Sequence, residues 1–441
     1  LVLTSCADAA EEQSYTHQVL DHRAVFAPIT KATFRLDAEA VDLIADKAVA
    51  IATEPRNGPV HIDVPISVAD APARDRSHRR APANATAPAG VDLAQAREWL
   101  AQAQRPVAII GLDALHEEAG ESIKAFIERH NIPFVTSYKA KGIIPEDHPL
   151  CLGGAGLSPL ADKHLLPLFR SADLVLSIGY DPIEMRPGWR DVWDVSAQHV
   201  IDIAPEPNLH YMHQAGLSLV SSIAQTLAAM SDDLEAKSTW TEGEPEAAKL
   251  ALSKSFPRDD TWGPAAVIAE ARATLPANTL ATADSGAHRI LLSQMWTCSE
   301  PRALIQSSGL CTMGCALPMA IGRKLAEPDR PVICFSGDAG FLMVAGELAT
   351  AAEMKLAPIF LVFVDASLAL IELKQRQRQL ANAAVDFGRH DFAAMGRAFG
   401  GNGVTVRNRG ELRAALVEAQ NAETFTVIAA EIEPGGYDGR I

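Results

Sequence analysis

The sequence predicts an α/β protein of doubly wound parallel sheets arranged in three blocks. Two observations predict it. Apolar, β-rich runs without alternation are separated by helical patterns, as parallel strands covered on both faces require. The length, 441 residues, exceeds what one core supports and points to two or three domains. Composition then narrows the function. A net charge of −16 disfavours nucleic acid, which wants a basic stripe. No apolar run is long enough to span a bilayer. The six cysteines show neither CxxC pairs nor Cys/His clusters at zinc spacing, so reduced thiols in a cytoplasmic protein are expected.

The first block, residues 1 to about 70, opens on an apolar strand and ends in "GPVHIDVPISVADAP", a strand from Val60 to Val64 closed by prolines. Leu3-Thr4-Ser5-Cys6 mimics a lipoprotein cleavage box, but no basic segment and apolar core precede it. It reads as a strand end with a small buried thiol. The stretch 71–90, rich in Ala, Pro and Arg and without apolar periodicity, is expected to be a surface linker.

In the second block, 91–230, "RPVAIIG" is a buried strand, "EEAGESIKAFIERHN" an amphipathic helix and "IPFVTS" a strand. "KHLLPLFRSA" follows as a helix, then "DLVLSIGYD" and "QHVIDIA" as strands. A polar stretch, "DDLEAKSTWTEGEPEA", leads to the third block, 255–441. There helix "GPAAVIAEARATL" precedes strand "TLATAD", "GCALPMAIGRKLA" precedes "PVICFSGD", and "VAGELATAAEM" precedes "PIFLVFVD". Helices "DFAAMGRAF" and "GELRAALVEAQ" and the strand "FTVIAAEIE" close the chain. Ligands of such sheets sit beyond the carboxyl ends of strands. Three loops occupy that position: "ADSGAHR", "SGDAGF" and "VDASLAL".

Asp338 ends one strand of the third block, and Asp365 ends the next, 27 positions later. One helix and one strand separate them, the length of a right-handed crossover. If the strands are neighbours, both carboxylates lie at one sheet edge. Two carboxylates with a main-chain carbonyl suit Mg²⁺, which keeps octahedral positions for water and phosphate oxygens. The surrounding glycines let the main chain approach a diphosphate at a helix N-terminus. A Gly-Asp-x-Gly run is also a common plain turn; the aligned second acid is what favours a metal.

The stretch from Gly337 to Gln375, "GDAGFLMV…VDASLALIELKQ", resembles the diphosphate-binding motif of thiamine-diphosphate enzymes, Gly-Asp-Gly followed 25–30 residues later by Asn-Asn. The resemblance continues through "DSGAHRILLSQ", "SSGLCTMGCALPMAIG", "KAKGIIPEDHPLCLGG", "ADLVLSIGYDPIE", "LDHRAVFAPITKATFRL" and "GPVHIDVP". It covers nearly the whole chain and is strongest to acetolactate synthases. "IGYDPIE" is similar to the catabolic type, which needs no flavin, so FAD is not expected.

The resemblance implies three α/β domains of the thiamine-diphosphate enzyme type. Residues 1–70 would be the C-terminal part of the pyrimidine-binding domain, 91–230 a central Rossmann-like domain and 255–441 the diphosphate-binding domain. It implies thiamine diphosphate and Mg²⁺ as cofactors, a small 2-oxo acid as substrate, and a homodimer or homotetramer with active sites between chains. Pyruvate to acetolactate is the expected reaction. Another 2-oxo acid decarboxylase or carboligase, and a degenerate non-catalytic cofactor-binding protein, are the alternatives. Asp338 would bind the metal, Asp365 would stand in for the second Asn, and the Ser367 carbonyl would be the third ligand. Gly337, Ala339 and Gly340 would meet the diphosphate, with Gly286, Ala287 and His288 after the earlier strand and Leu368 after the later one. Met313 would be the apolar wedge that bends the cofactor, and the Cys311 carbonyl would receive its aminopyrimidine.

Three departures stand out: Ala339 replaces the second Gly of Gly-Asp-Gly, Val364-Asp365 replaces Asn-Asn, and Cys311 stands where glycine is usual. The family's pyrimidine-binding domain is expected to begin roughly a hundred residues before Leu1 and to carry the activating glutamate upstream of Leu1, and no residue in 1–70 matches that position. The expectation is that this part is truncated or disordered, and that a chain this short is inactive. Other residues have plain readings beside functional ones. His288 is a diphosphate contact or a helix-start histidine. Lys139 and Lys141 attract an anionic substrate or are solvated loop lysines. Asp181 and Glu184 form a carboxylate pair or a turn and cap. Cys311 and Cys315 are spaced for one helix face. Tyr180, Trp189 and Trp193 wall a pocket or simply pack, and Gly111 and Gly179 end strands where a nucleotide could lie.

Overall fold

The computed structural model describes residues 1–14, 16, 17, 19–72, 86–307 and 309–441, the side chain of Glu184 excepted. Residues Leu1–Ala87 form one compact unit and Pro88–Ile441 another. Most of the expected linker, 73–85, lies outside the described residues. The described strands form three sheets, all parallel.

In the first unit β1 (Val2–Cys6), β2 (Ala32–Arg35) and β3 (Val60–Pro65) pair in the order β1-β3-β2. Helix Val41–Thr53 seats Ala48 on Val60 and Ile62. Cys6 ends β1 as a buried thiol, pushed up to about 11 by burial and then by Asp63.

The second unit holds two six-stranded sheets. β4 (Pro106–Ile110), β5 (Phe134–Ser137), β6 (Cys151–Ala155), β7 (Leu174–Ile178), β8 (His199–Ala204) and β9 (Leu217–Val220) run in the order β6-β5-β4-β7-β8-β9. β10 (Leu280–Ala283), β11 (Leu304–Gln306), β12 (Val332–Gly337), β13 (Ile359–Val364), β14 (Asn402–Val406) and β15 (Thr426–Glu431) run in the order β11-β10-β12-β13-β15-β14. The inner strands β4, β7, β10 and β13 are buried along their whole length, because helices cover both faces.

Local chemistry sets the helix starts. Ser158 caps helix Pro159–Ser171 by accepting from the Ala161 N–H, with Pro159 in the first turn where no donor is missed. Asn408 caps Arg409–Gln420 through the Glu411 N–H, and the Glu411 carboxylate reaches back to the Arg407 N–H. The expected polar stretch 232–247 ends inside helix Glu244–Ser255, which packs on Pro159–Ser171. The helix expected from Val344 begins earlier, at Asp338, and runs through a 3-10 turn to Glu353. Among the described residues no helix is long and apolar enough to cross a membrane.

Candidate functional site

β10, β12 and β13 are neighbours, with Ala283 beside Phe335 and Gly337 beside Phe363. Asp284, Asp338 and Asp365 therefore each follow a strand end at the same sheet edge. From β10 the chain winds to β11 on one side and then returns to β12 on the other, so the β10/β12 crevice is a switch point of the kind where α/β sheets bind ligands. A cleft of about 560 Å³ opens there. It gathers Gly286, Ala287 and His288 from the first loop, and Gly337, Asp338, Ala339 and Gly340 from the second. Asp365, Ser367 and Leu368 come from the third, and Cys311 and Met313 from the loop before helix Ala316–Ala326. Every residue expected at the site lines this one cleft.

The carboxylate pair is buried, Asp338 at 2% and Asp365 at 7% exposure. Asp338 accepts from the Ala339 N–H at 2.8 Å through one oxygen and from the Ala366 N–H at 2.7 Å through the other. Asp365 accepts from the Ser367 N–H at 3.3 Å. Burial raises Asp338 above the usual carboxylate range, against those main-chain donors. Asp365 is pushed up to about 7, by burial first and by the negative charge of Asp338 second. Two anions so placed repel each other, and a divalent cation between them relieves that repulsion. Among the described residues no third His, Cys, Asp or Glu joins them, so a third protein ligand would come from the main chain.

Two helices point uncapped N-termini into the cleft: Ala287–Met295 behind Gly286 and Asp338–Val344 behind Gly337, neither with a side-chain cap. Their first-turn N–H groups have no intrahelical partner and favour an anion. His288 lies 3% exposed, stacked on Phe363 at 5.3 Å, with a buried Nε2 that has no hydrogen-bond partner among the described residues. Burial drives its pKa down to about 4, so it is a neutral ring. An acidic pair suited to a cation, beside free donors suited to an anion, fits a diphosphate held through a divalent metal.

Sequence reasoning missed the residue that organises these loops. Asp284 is fully buried. Its carboxylate accepts from the Gly314 N–H at 2.9 Å, the Cys315 N–H at 3.1 Å and the Ser336 hydroxyl at 3.3 Å. It thereby ties the Met313 loop to β12. It also explains Gly340, where a Cβ would lie 1.9 Å from an Asp284 oxygen. Its signal was available: a third acid at a strand end, in register with Asp338 and Asp365. Tyr437 lines the cleft from the C-terminal segment, buried beside both carboxylates, and no sequence pattern marks it.

The departures from the family pattern acquire physical meaning. Ala339 lies in right-handed helix, where a Cβ is tolerated. Cys311 has φ +50°, a left-handed backbone that glycine adopts with least strain. The expected helix face of Cys311 and Cys315 is corrected: the helix starts at Ala316, Cys315 is its N-cap and Cys311 lies in the loop before it. Lys141 is neither a solvated lysine nor a cleft cation. It is 2% exposed, ion-paired with Glu146 and bonded to the Ser293 carbonyl at 3.0 Å, while Glu146 accepts from the Cys298 N–H. Asp181 caps the turn Pro182–Glu184 through the Ile183 N–H. Trp189 is core, its N–H on Asp162, whereas Tyr180 and Trp193 wall a smaller cavity of about 320 Å³ with His213.

Residues 284–430 match the thiamine pyrophosphate enzyme C-terminal TPP binding domain, and residues 93–230 the central domain of the same enzymes. The chain is similar to the acetolactate synthase of Bacillus subtilis (strain 168), 29% identical over 96% of this chain and 76% of that protein. It is also similar to a catabolic acetolactate synthase of Raoultella terrigena, 26% identical over 98% and 79%. A probable 2-ketoarginine decarboxylase, AruI, of Pseudomonas aeruginosa is 31% identical over 87% of this chain and 68% of that protein.

Proposed function

The chain belongs to the thiamine pyrophosphate enzyme family, and from that premise we propose that it converts pyruvate to acetolactate with Mg²⁺ as the metal. It is a thiamine-diphosphate-dependent enzyme of the acetolactate synthase type, acting on 2-oxo acids. The observation that carries the proposal is the single cleft at the β10/β12 switch point, into which the paired acids and two uncapped helix starts converge.

Bound there, thiamine diphosphate supplies the electron sink that lets a 2-oxo acid lose carbon dioxide. Asp338 and Asp365, with the Ser367 carbonyl, would hold Mg²⁺. The N–H groups of Ala339, Gly340, Gly286, Ala287 and His288 would meet the diphosphate, alongside Gly337 and Leu368. Asp284 fixes the Met313 loop, and Met313 would be the wedge beneath the cofactor, with the Cys311 carbonyl toward its aminopyrimidine. Phe363, Leu370 and Ile371 give the cleft an apolar wall that keeps water from the reacting carbon.

Residues 1–70, 91–230 and 255–441 are assigned as part of a pyrimidine-binding domain, a central domain and a diphosphate-binding domain. An active site shared between chains of a homodimer or homotetramer is supported by exposed apolar residues at the cleft, Ile371 on its wall being 48% exposed and Leu310, next to Cys311 in sequence, 92%. The free cysteines accord with a cytoplasmic setting.

The test adds thiamine diphosphate, Mg²⁺ and pyruvate to the protein, follows pyruvate loss and identifies the product. Acetolactate supports the proposal. Acetaldehyde moves the reaction to simple decarboxylation. Cofactor binding by calorimetry without pyruvate loss would favour a different 2-oxo acid, the reading to which the 31% identical decarboxylase points.

A further inference from the structure

Apart from the carboxylate pair, the charged side chains lining the cleft among the described residues are all cations: Arg186, Arg289 and Lys374. They stand out in a chain of net charge −16. Lys374 is exposed, and Arg186 has Asp162 at 3.4 Å. Among the described residues Arg289 has no carboxylate at ion-pair distance. Its guanidinium donates to the Ser307 carbonyl at 3.0 Å, approaches the Cys311 thiol at 3.5 Å through both terminal nitrogens, and lies over the Tyr138 ring at 5.4 Å. Its Nε is buried without a partner among the described residues. These contacts orient the fork and none neutralises it. A guanidinium stays charged at any working pH, and a half-buried one without an anion is poised for an anionic ligand.

The anion is not the diphosphate. His288, one residue earlier, turns to Gly337 and Phe363 beside the acid pair, whereas Arg289 turns to the Ser307–Cys311 loop. Within the proposed reaction two pyruvate anions and one proton give one acetolactate anion and one carbon dioxide. One carboxylate leaves and one is kept. An ion pair to the departing carboxylate would stabilise the ground state more than the transition state, in which that charge disperses, and would slow its loss. An ion pair to the kept carboxylate carries no such penalty. We propose that Arg289 binds the carboxylate of the second 2-oxo acid, the one whose keto carbon forms the new carbon–carbon bond and whose keto oxygen takes the proton. This rests on the acetolactate reading and adds a residue that selects the acceptor.

The test titrates thiamine diphosphate with Mg²⁺, then oxamate, an inert carboxylate isostere of pyruvate, into the full chain and into Arg289→Gln and Arg289→Lys. Loss of one charged hydrogen-bond donor predicts oxamate binding weaker by on the order of ten- to hundredfold in Arg289→Gln. Cofactor affinity should be unchanged, and Arg289→Lys should recover part of the loss. With pyruvate, Arg289→Gln should keep releasing carbon dioxide while its acetolactate-to-acetaldehyde ratio falls about tenfold or more. Unchanged oxamate affinity and product ratio would overturn the proposal. So would an equal loss of cofactor affinity, which would make Arg289 part of the cofactor site. Failure of the unsubstituted chain to bind thiamine diphosphate strikes the acetolactate reading instead, and is seen before any oxamate is added.

Discussion

In the sheet β4–β9 the winding reverses between β4 and β7, and in the sheet β10–β15 it reverses between β10 and β12, with β15 also stepping back between β13 and β14. At the first reversal the crevice is filled by the chain itself. Gly111 donates to the Ile178 carbonyl at 3.0 Å, and the Asp113 N–H at the start of helix Leu112–His116 donates to the Gly179 carbonyl at 2.9 Å. A Cβ at Gly111 would lie 2.3 Å from the Tyr180 Cα, and one at Gly179 2.3 Å from the Ala114 nitrogen. At the second reversal no main chain of the neighbouring loop takes the helix-start donors among the described residues, the Ala339 N–H going instead to the Asp338 carboxylate, and a cleft is left between the loops. A switch point is thus an opportunity, not a site. What decides is whether the first-turn N–H groups are consumed by the facing main chain, and whether a carboxylate such as Asp284 fixes the loops around the opening.

The largest expected effect breaks the open site. Asp338→Ala removes a proposed metal ligand and the acceptor of the Ala366 and Ala339 N–H groups. Calorimetry should show thiamine diphosphate–Mg²⁺ affinity falling on the order of a thousandfold, about 4 kcal/mol. Retained affinity would dissolve the contrast between the two crevices.

Asp365→Asn sharpens it. In the metal-free chain Asp365 titrates near 7, against an ordinary carboxylate value of 3.8. The fold therefore binds a proton that the unfolded chain releases. Its contribution to stability is present below about pH 4 and is lost as pH rises toward 7, on the order of 4 kcal/mol in all. Melting with chelator should show the stability of the unsubstituted chain declining across that window relative to Asp365→Asn, the histidines of opposite sign being common to both. Mg²⁺ should restore the former at neutral pH. A decline that survives the substitution would assign it elsewhere.

Gly111→Ala probes the filled crevice. Main chain faces main chain there, so the structure cannot yield by a rotamer change, and a cost of about 3 kcal/mol is expected in urea unfolding. Cofactor affinity should not change. Gly340→Ala is the counterpart, since its Cβ would strike the Asp284 carboxylate. It should weaken cofactor binding more than it lowers stability.

The same contrast governs what was legible in the sequence. The eight inner strands of the two large sheets stand out as apolar runs because helices cover both their faces. The four strands that escape, β6, β9, β11 and β14, are the four edges, and β9 and β14 are half exposed. An edge strand carries too little apolar sequence to announce itself. The cleft residues were legible because strand ends fall at a fixed place in such sheets and the resemblance supplies roles. Arg289 and Tyr437 were not, because their roles depend on what each side chain meets, Ser307 and the acid pair respectively, and Asp284 announced its position at a strand end but not its partner Gly314. Lys141 was misread for the same reason, its partner Glu146 being visible only in three dimensions.

The smallest effect lies in the small cavity beside the filled crevice, and its sign is opposite to that of Asp365. His213 bonds to the Tyr180 hydroxyl at 3.1 Å and lies 4.5 Å from the Trp193 ring. Burial, and then His210, lower its pKa to about 4. A folded value below the ordinary 6.5 means that the fold holds the ring neutral. That stability is fully present above pH 6.5 and is lost as pH falls toward 4, about 2 kcal/mol after allowing for partial exposure. His130 in the same region and His288 in the cleft share this sign, so a global melt alone does not isolate His213. The difference in tryptophan fluorescence between the unsubstituted chain and His213→Gln does, because Trp193 is the tryptophan paired with His213. In the unsubstituted chain the signal should change between pH 6.5 and 4, and in His213→Gln it should stay flat while the Asp365 profile persists. If both profiles move together, the two crevices are coupled and one sheet cannot be read without the other.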